Sequence, residues 1–181
     1  MYLCRLLLSL FVFLALSLAF VANVGALDTA RPNNKFGIHL ATPSKEELEN
    51  AAKLVNTRGG NWGYITVVIQ DNDRNRTKWQ EALDRMRELR LIPIIRLATS
   101  PIGSTWAKPT EREIDNWIPF LNSLNWVVKD RYIILFNEPN HSQEWGGELN
   151  PEEYAKISYE YATKLKSSNP DYFIMLAGLD L

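Results

Sequence analysis

Cysteine is almost absent from this sequence. Cys4 is the only cysteine among 181 residues, so no disulfide can form within the chain. A small fold held together by disulfides is therefore excluded, and stability must come from a buried apolar core. The hydrophobic content of 46% is sufficient for such a core in one globular domain.

An excess of positive charge is also lacking. The 20 Lys and Arg residues are balanced by 21 Asp and Glu residues, which leaves a formal net charge of -1. No basic run occurs along the chain, so nucleic acid is not an expected partner. The chain has only 2 histidines, without the paired spacing of a metal site, and we expect neither a metal nor another cofactor.

The first 26 residues differ from the rest of the chain. Arg5 precedes a long apolar run over residues 6–24, and Val24 and Ala26 suit the small-residue positions of a signal-peptidase site. This pattern predicts a signal peptide over 1–26 and a secreted, extracellular domain over 27–181. The run approaches the roughly 17 residues that span a bilayer, so the alternative is an uncleaved membrane anchor with the domain facing outside.

From Leu27 onward, short apolar runs alternate with amphipathic helical segments. The runs are FGIHL, YITVVI, IPIIRLA, YIILF and YFIMLAG. Nearly continuous apolar residues are typical of parallel strands that are buried on both faces. Ser44 with Glu47, Thr110 with Glu113, and Asn150 before Pro151 are helix-start signals between these runs. The predicted order is βαβαβαβαβ.

Strict alternation of this kind favours either an open doubly wound sheet or a closed (β/α)8 barrel. The first strand is followed by FGIHLATPSKEE, which lacks the glycine-rich phosphate loop of a dinucleotide-binding sheet. Polar residues come instead at or near the ends of the strands: His39, Gln70, Asp71, Arg96, Asn137, Glu138 and Asp180. In a barrel they would meet at one mouth. We therefore predict an α/β fold, a (β/α)8 TIM barrel of which strands one to five are present.

Glu138 is the strongest candidate for a catalytic residue. It follows an apolar strand, and partial removal of water from a carboxylate favours the protonated form that can donate a proton. Pro139 has no N–H to donate to the next rung of the sheet, so we expect the strand to stop there. Asn137 offers both a donor and an acceptor for a substrate hydroxyl.

Other side chains are predicted to complete a carbohydrate site. Trp106 and Trp145 lie in glycine-containing loops, and an indole face can stack on a sugar ring, although it can equally well plug a barrel rim. Arg96 interrupts an apolar strand and is expected to pair with a carboxylate. His39 is either a substrate contact or a structural residue of the barrel floor. Asp180 follows the last strand and would lie at the same mouth.

The run ILFNEPN resembles the acid/base motif of the large clan of retaining (β/α)8 glycoside hydrolases, which includes the cellulase-like family 5 and family 39. The resemblance implies that Glu138 is the general acid/base and that Asn137 contacts the hydroxyl next to the anomeric carbon. It also implies a glycosyl-enzyme intermediate, which requires a second carboxylate about 5 Å away. In that clan the nucleophilic Glu follows strand seven, and many members have their active-site arginine after strand two, whereas Arg96 is on predicted strand three.

A complete barrel takes roughly 250 residues, and this sequence reaches only its fifth predicted strand. We therefore interpret it as the N-terminal half of a glycoside hydrolase, a fragment that lacks the nucleophile and is inactive alone. A carbohydrate is the expected partner. Two alternatives stay open: a non-catalytic carbohydrate-binding remnant, and a metal-dependent barrel hydrolase that uses His39, Glu138 and Asp180. The sequence predicts neither the sugar, the linkage nor the oligomeric state.

Overall fold

The computed structural model describes residues 35–180, so the predicted signal peptide or anchor over 1–26 lies outside the described residues. The strands are β1 (Gly37–Leu40), β2 (Gly63–Gln70), β3 (Leu91–Ala98), β4 (Pro101–Ile102), β5 (Thr105–Trp106), β6 (Arg131–Leu135) and β7 (Tyr172–Leu176). The α-helices are α1 (Lys45–Val55), α2 (Arg76–Glu88), α3 (Ile114–Ser123) and α4 (Pro151–Ser168). Within residues 35–180, no helix is long and apolar enough to cross a membrane.

The main sheet has five parallel strands in the order β1-β2-β3-β6-β7. Each strand of this sheet is joined to the next by a connection that contains an α-helix. The connection from β3 to β6 also contains the small antiparallel hairpin β4–β5. Because such crossovers are right-handed, sequential strand order places all the connecting helices on one side of the sheet. This is the arrangement of the first five strands of a (β/α)8 barrel, and the predicted fold class is confirmed.

The two faces of the sheet differ in burial. On β2, the side chains of Ile65, Val67 and Ile69 are fully buried on the outer face, under the helices. Thr66 and Val68 alternate with them and are only half-buried on the inner face. The prediction of burial on both faces is therefore correct for the outer face alone. In a closed barrel the opposite strands would cover the inner face, whereas residues 35–180 supply five strands of such a barrel.

Apolar side chains remain exposed where the curved sheet is open. Phe173 and Leu176 on the edge strand β7 are 53% and 63% exposed. A row of aromatic rings crosses the inner face, with centroids 6.0 Å apart for Tyr64–Tyr132 and 5.4 Å apart for Tyr132–Phe173. The most exposed ring of this row, Phe173, lies on the edge strand β7. We call this unpaired edge, with Phe173 and Leu176, the open side of the sheet, and it is an apolar surface.

Two of the three predicted helix starts are confirmed. The Ser44 hydroxyl accepts a hydrogen bond of 3.2 Å from the Glu47 N–H at the start of α1, and Asn150 accepts one of 3.0 Å from the Glu153 N–H at the start of α4. The third prediction is wrong, since α3 begins at Ile114 and not after Thr110. The Glu113 side chain interacts with a neighbouring carboxylate instead of capping a helix.

Candidate active site

The β6 strand ends at an abrupt turn. Its ladder stops at Leu135, and the Phe136 N–H still donates to the Leu97 carbonyl over 3.1 Å. Phe136 and Glu138 then have φ angles of 68° and 26°, in the left-handed region that is unfavourable for residues other than glycine. The strand therefore ends before Pro139, not at it as predicted, and the reversal of the backbone at Phe136 is what ends it.

An aromatic cluster holds this turn in place; it consists of Phe136, Trp145, Tyr154 and Tyr161. The Phe136 ring lies 5.6 Å from the Trp145 ring and 5.1 Å from the Tyr161 ring, in edge-to-face contacts. Trp145 is 0% exposed, and its indole N–H donates to the Glu153 carboxylate over 3.1 Å. A fully buried indole has no face to offer to a sugar, so we correct the prediction for Trp145: it is a core residue that attaches the loop to α4.

Arg96 and Asn137 form a direct contact across neighbouring strands of the sheet. The Arg96 Nη1 donates to the Asn137 Oδ1 over 2.5 Å. Because a guanidinium has donors only, the atom that it contacts must be the amide oxygen, which leaves the amide N–H groups of Asn137 available to a ligand. The predicted carboxylate partner of Arg96 is therefore wrong for this hydrogen bond, although the arginine does lie on the third strand, as predicted.

Two carboxylates act on Arg96 at longer range. Burial lowers the pKa of Arg96, while the negative charges of Glu144 and Glu138 oppose that shift. The Arg96 Nε is buried and has no hydrogen-bond partner among residues 35–180. A buried donor without a partner is costly, so this atom is a natural contact for a ligand that enters the site.

A cavity of about 180 Å³ opens at the carboxyl end of the strands, beside this contact. Its lining includes Arg96, Asn137, Trp106, Thr99 and Glu144. Trp106 lies in the β4–β5 hairpin and is half-buried, and its stacking on a sugar ring stays a prediction. Sequence reasoning missed Thr99 and Glu144. Glu144 lies in a polar loop whose letters do not distinguish a solvated carboxylate from one that lines a cavity.

Glu138 lies next to His141 and Asp180. One potential ligand atom from each of these three residues lies within 4.8 Å of the others. The His141 Nε2 is 3.4 Å from an Asp180 carboxylate oxygen. The backbone N–H of His141 donates to the backbone carbonyl of Glu138 over 2.8 Å. Asp180 thus lies near Glu138, as predicted.

His39 does not belong to either group. It lies on β1, largely exposed, and is not among the residues that line the cavity. Partial burial of the ring and the positive charge of Arg96 lower the pKa of His39. The metal alternative named His39 with Glu138 and Asp180, but the structure brings His141 to these carboxylates instead.

Two neighbouring carboxyl groups, Asp71 and Glu113, lie near the segment that leads from β3 to the β4–β5 hairpin. The Ser100 hydroxyl donates to the Asp71 carboxylate, and the Glu113 carboxyl interacts with Asp71. Burial and the negative charge of Asp71 raise the pKa of Glu113, while Arg74 opposes the shift. Asp71 thus has a hydrogen-bond partner and a charged neighbour within the fold.

Solved enzymes of known class share this fold. The GH39 enzyme from Xanthomonas axonopodis pv. citri superposes with a TM-score of 0.61 at 17% identity, over 85% of this chain and 36% of its own. A monomeric β-xylosidase from Caulobacter crescentus gives 0.61 at 16%, over 83% and 36%. A β-mannanase from Thermomonospora fusca in complex with mannohexaose gives 0.53 at 13%, over 82% and 50%.

These likenesses establish the fold, which is that of part of a (β/α)8 barrel. The chain spans between 36% and 50% of the length of these three enzymes. No protein-family profile matches the sequence, and no curated protein matches it either. The substrate and the reaction therefore have to be argued from the residues of the site.

Proposed function

We propose that this chain is the N-terminal part of a retaining glycoside hydrolase in which Glu138 is the general acid/base. The observation that supports this most directly is the hydrogen bond from Arg96 to the Asn137 amide oxygen, at the carboxyl end of the sheet. It fixes the amide oxygen of Asn137, and in our proposal the amide N–H groups then serve as donors near Glu138, the next residue in the chain. A donor next to the proton-transferring carboxyl is what a sugar 2-hydroxyl needs in an oxocarbenium-like transition state.

The roles of the remaining residues follow from their positions. Trp106 would stack on a sugar ring in the cavity, and Arg96 would position Asn137 without touching the reacting atoms. Retention of configuration requires a nucleophile about 5 Å from the acid/base. In our proposal this nucleophile is a glutamate that follows a seventh strand, outside the 181 residues. An in-frame continuation without such a glutamate would contradict the retaining mechanism.

The decisive experiment uses the product of the whole reading frame that contains these residues. Glu138→Gln should lower kcat/KM on oligosaccharides by about 10²- to 10⁴-fold, because the leaving oxygen is no longer protonated. Aryl glycosides with acidic leaving groups should lose less activity at the first step. Azide should rescue Glu138→Ala and give a glycosyl azide of retained configuration. Full activity of Glu138→Gln on oligosaccharides would overturn the proposal.

Glu81→Gln is a matched control, since Glu81 is exposed on α2, away from the cavity lining. It should leave kcat/KM unchanged.

If the wild-type protein bound oligosaccharides and hydrolysed none, the result would favour a non-catalytic carbohydrate-binding remnant. This alternative keeps Trp106 and gives Glu138 no role in turnover.

The cluster of Glu138, His141 and Asp180 favours a second candidate, a metal-dependent hydrolase. Carboxylate and imidazole ligands suit a divalent cation. Loss of activity in a chelator, with recovery on addition of a divalent cation, would support this candidate. Full activity in the chelator would remove it and leave the retaining mechanism.

A further inference from the structure

The segment that contributes Trp106 to the cavity is joined at both of its ends to one side chain, that of Asp71. We call residues 100–113 the hairpin segment. At its start, the Ser100 hydroxyl donates to the Asp71 carboxylate. At its end, the Glu113 carboxyl interacts with the same carboxylate. Because Asp71 directly follows β2, these contacts attach both ends of the hairpin segment to the carboxyl end of the sheet.

The middle of the hairpin segment is held by its backbone. The Gly146 N–H donates to the Trp106 carbonyl over 3.0 Å, and the Tyr161 hydroxyl donates to the Thr110 carbonyl over 3.1 Å. Trp106 and Pro109 both line the cavity. The position of the hairpin segment therefore fixes part of the cavity wall, and the contacts at its two ends contribute to that position.

The contact between Asp71 and Glu113 depends on a proton, because two ionised carboxylates repel each other at short range. Burial and the charge of Asp71 raise the pKa of Glu113, and the positive charge of Arg74 opposes this shift. While Glu113 is protonated, one carboxylate faces the Arg74 guanidinium. Once Glu113 is ionised, two carboxylates share this cation, and the end of the hairpin segment is repelled from Asp71.

Further ionisable groups lie near the pair, on the helices that pack beside it. Burial raises the pKa of Tyr161 on α4, so its hydroxyl stays neutral over the range in which Glu113 titrates. Asp115 on α3 forms an ion pair of 3.0 Å with Lys164. The proton on Glu113 is thus the charge that decides whether Asp71 attracts or repels the end of the hairpin segment.

We propose that Asp71 and Glu113 are positioning residues for sugar binding, which hold Trp106 in place while Glu113 carries a proton and loosen the hairpin segment when it does not. The inference rests on the proposed function, because it takes Trp106 as part of the sugar-binding wall. Within residues 35–180, the cavity lining includes neither carboxyl, so both act through the segment without touching the ligand. A wall that is already ordered binds more tightly, because less conformational freedom is lost on binding.

The test measures the pH dependence of oligosaccharide binding by titration calorimetry, with the product of the whole reading frame that carries Glu138→Gln. This substitution stops turnover in our proposal, and it removes the titration of Glu138 from the pH profile. The ligands are β-1,4-linked mannohexaose, cellohexaose and xylohexaose, and the one that binds most tightly at about pH 4 is followed to about pH 7. Its Kd should rise by about three- to tenfold over this range, since one stabilising contact is lost.

Two isosteric variants in the same Glu138→Gln protein separate positioning from a general structural role. In Glu113→Gln and in Asp71→Asn, an amide can donate to the remaining carboxylate at every pH, so the Kd should keep its low-pH value up to about pH 7. Asp71→Ala removes both contacts and should raise the Kd by about three- to tenfold at either pH. The surface variant Glu81→Gln should keep the full pH dependence.

Hydrogen exchange of residues 100–113 gives an independent measurement. At about pH 7 these amides should exchange faster in the Glu138→Gln protein than in the same protein with Glu113→Gln, and at about pH 4 the two should agree. A Kd that does not change with pH, or a pH dependence that survives in both isosteric variants, would overturn the inference and leave the proposed function standing. Failure to bind any of the three oligosaccharides at either pH would instead remove the proposed function and, with it, the inference.

Discussion

Two tryptophans in loops on the same side of the fold have opposite roles in the structure. Trp106 is half-buried and lines the cavity, whereas Trp145 is 0% exposed within the aromatic cluster. The sequence context does not separate them, because both lie in polar loops next to glycines. What separates them is the tertiary fold, because the loop that contains Trp145 folds back onto α4. The contact with α4 involves residues outside that loop.

We predict that these tryptophans separate binding from stability. Trp106→Ala should weaken oligosaccharide binding by about tenfold and change the free energy of unfolding by less than about 1 kcal/mol. Trp145→Ala should lower the free energy of unfolding by about 3–5 kcal/mol, because it leaves a cavity beside Phe136 and removes the hydrogen bond to Glu153. Urea unfolding and calorimetry measure both effects. Similar stability of the two variants would contradict the assignment of Trp145 to the core.

A single carboxyl away from the cavity should make stability depend on pH. The pKa of Glu113 is raised above 4.5 by burial and by Asp71, so the folded state holds a proton that the unfolded state has already released. Stability should therefore fall as pH rises from about 4.5 through the raised folded-state value. In Glu113→Gln this slope should disappear, since an amide can donate to Asp71 at every pH.

Urea unfolding between about pH 4 and pH 7 measures the slope directly. Glu81→Gln serves as the control because its side chain is exposed on α2, and it should keep the wild-type slope. An unchanged slope in Glu113→Gln would show that other groups titrate in this range and that the carboxyl pair does not.

At the scale of elements, one side chain links three segments of the fold. The Asn56 amide nitrogen donates to the carbonyls of Leu89 and Arg90 over 3.1 Å each, and the Gly63 N–H donates to the Asn56 Oδ1 over 2.9 Å. It thus joins the end of α1 to the start of β2 and to the turn before β3. These contacts bridge residues that are up to 34 positions apart in the sequence.

Asn56→Ala should lower the free energy of unfolding by about 2 kcal/mol, because the Gly63 N–H and the Leu89 carbonyl lose this partner. Asn50→Ala is the control: Asn50 lies on the exposed side of α1 and accepts a hydrogen bond from Lys53. We expect a change of less than about 0.5 kcal/mol for that variant. Equal effects of the two substitutions in urea unfolding would contradict the linking role of Asn56.

The elements that sequence reasoning identified are those with strong local signals. Apolar runs located β2, β3 and β6 to within a residue or two, and Ser44 and Asn150 located two helix starts. The hairpin β4–β5 was missed because two-residue strands have no periodicity to detect. The false start at Thr110 arose because a local capping pattern cannot reveal that Glu113 has a tertiary partner in Asp71.

The same difference between local signals and tertiary contacts applies to the residues of the site. Asn137 and Glu138 could be located because a strand end is a local feature and the sheet order follows from alternation. The partner of Arg96 could not, since only the register of β3 against β6 decides whether the arginine meets an amide or a carboxylate. Glu144 and His141 depend on the path of an irregular loop, which leaves no pattern in the sequence.

At the scale of the whole molecule, the open side of the sheet is an exposed apolar surface. Phe173 and Leu176 on β7 and Ile38 on β1 are exposed apolar residues on the two edge strands. Parallel edge strands with exposed apolar side chains tend to pair with other chains. This property is independent of any sugar chemistry.

We predict that the chain from Leu27 to Leu181 self-associates through this open side. Phe173→Lys should reduce both light scattering and binding of an apolar dye, because it places a charge on the exposed edge strand. Leu54→Lys is the control: Leu54 is 64% exposed on α1, on the helical side. If the two variants scattered light equally, association would not proceed through the open side.

The Arg96–Asn137 hydrogen bond also has a consequence for the order of folding. It joins residues 41 positions apart, so β3 and the segment after β6 must meet across a stretch of chain that contains the hairpin and α3. Parallel pairing over such a separation is slow compared with helix formation. The donors of Asn137 are thus oriented late, after most of the local structure has formed. Ligand binding that returns more slowly than helical circular dichroism during refolding would be the kinetic mark of this assembly.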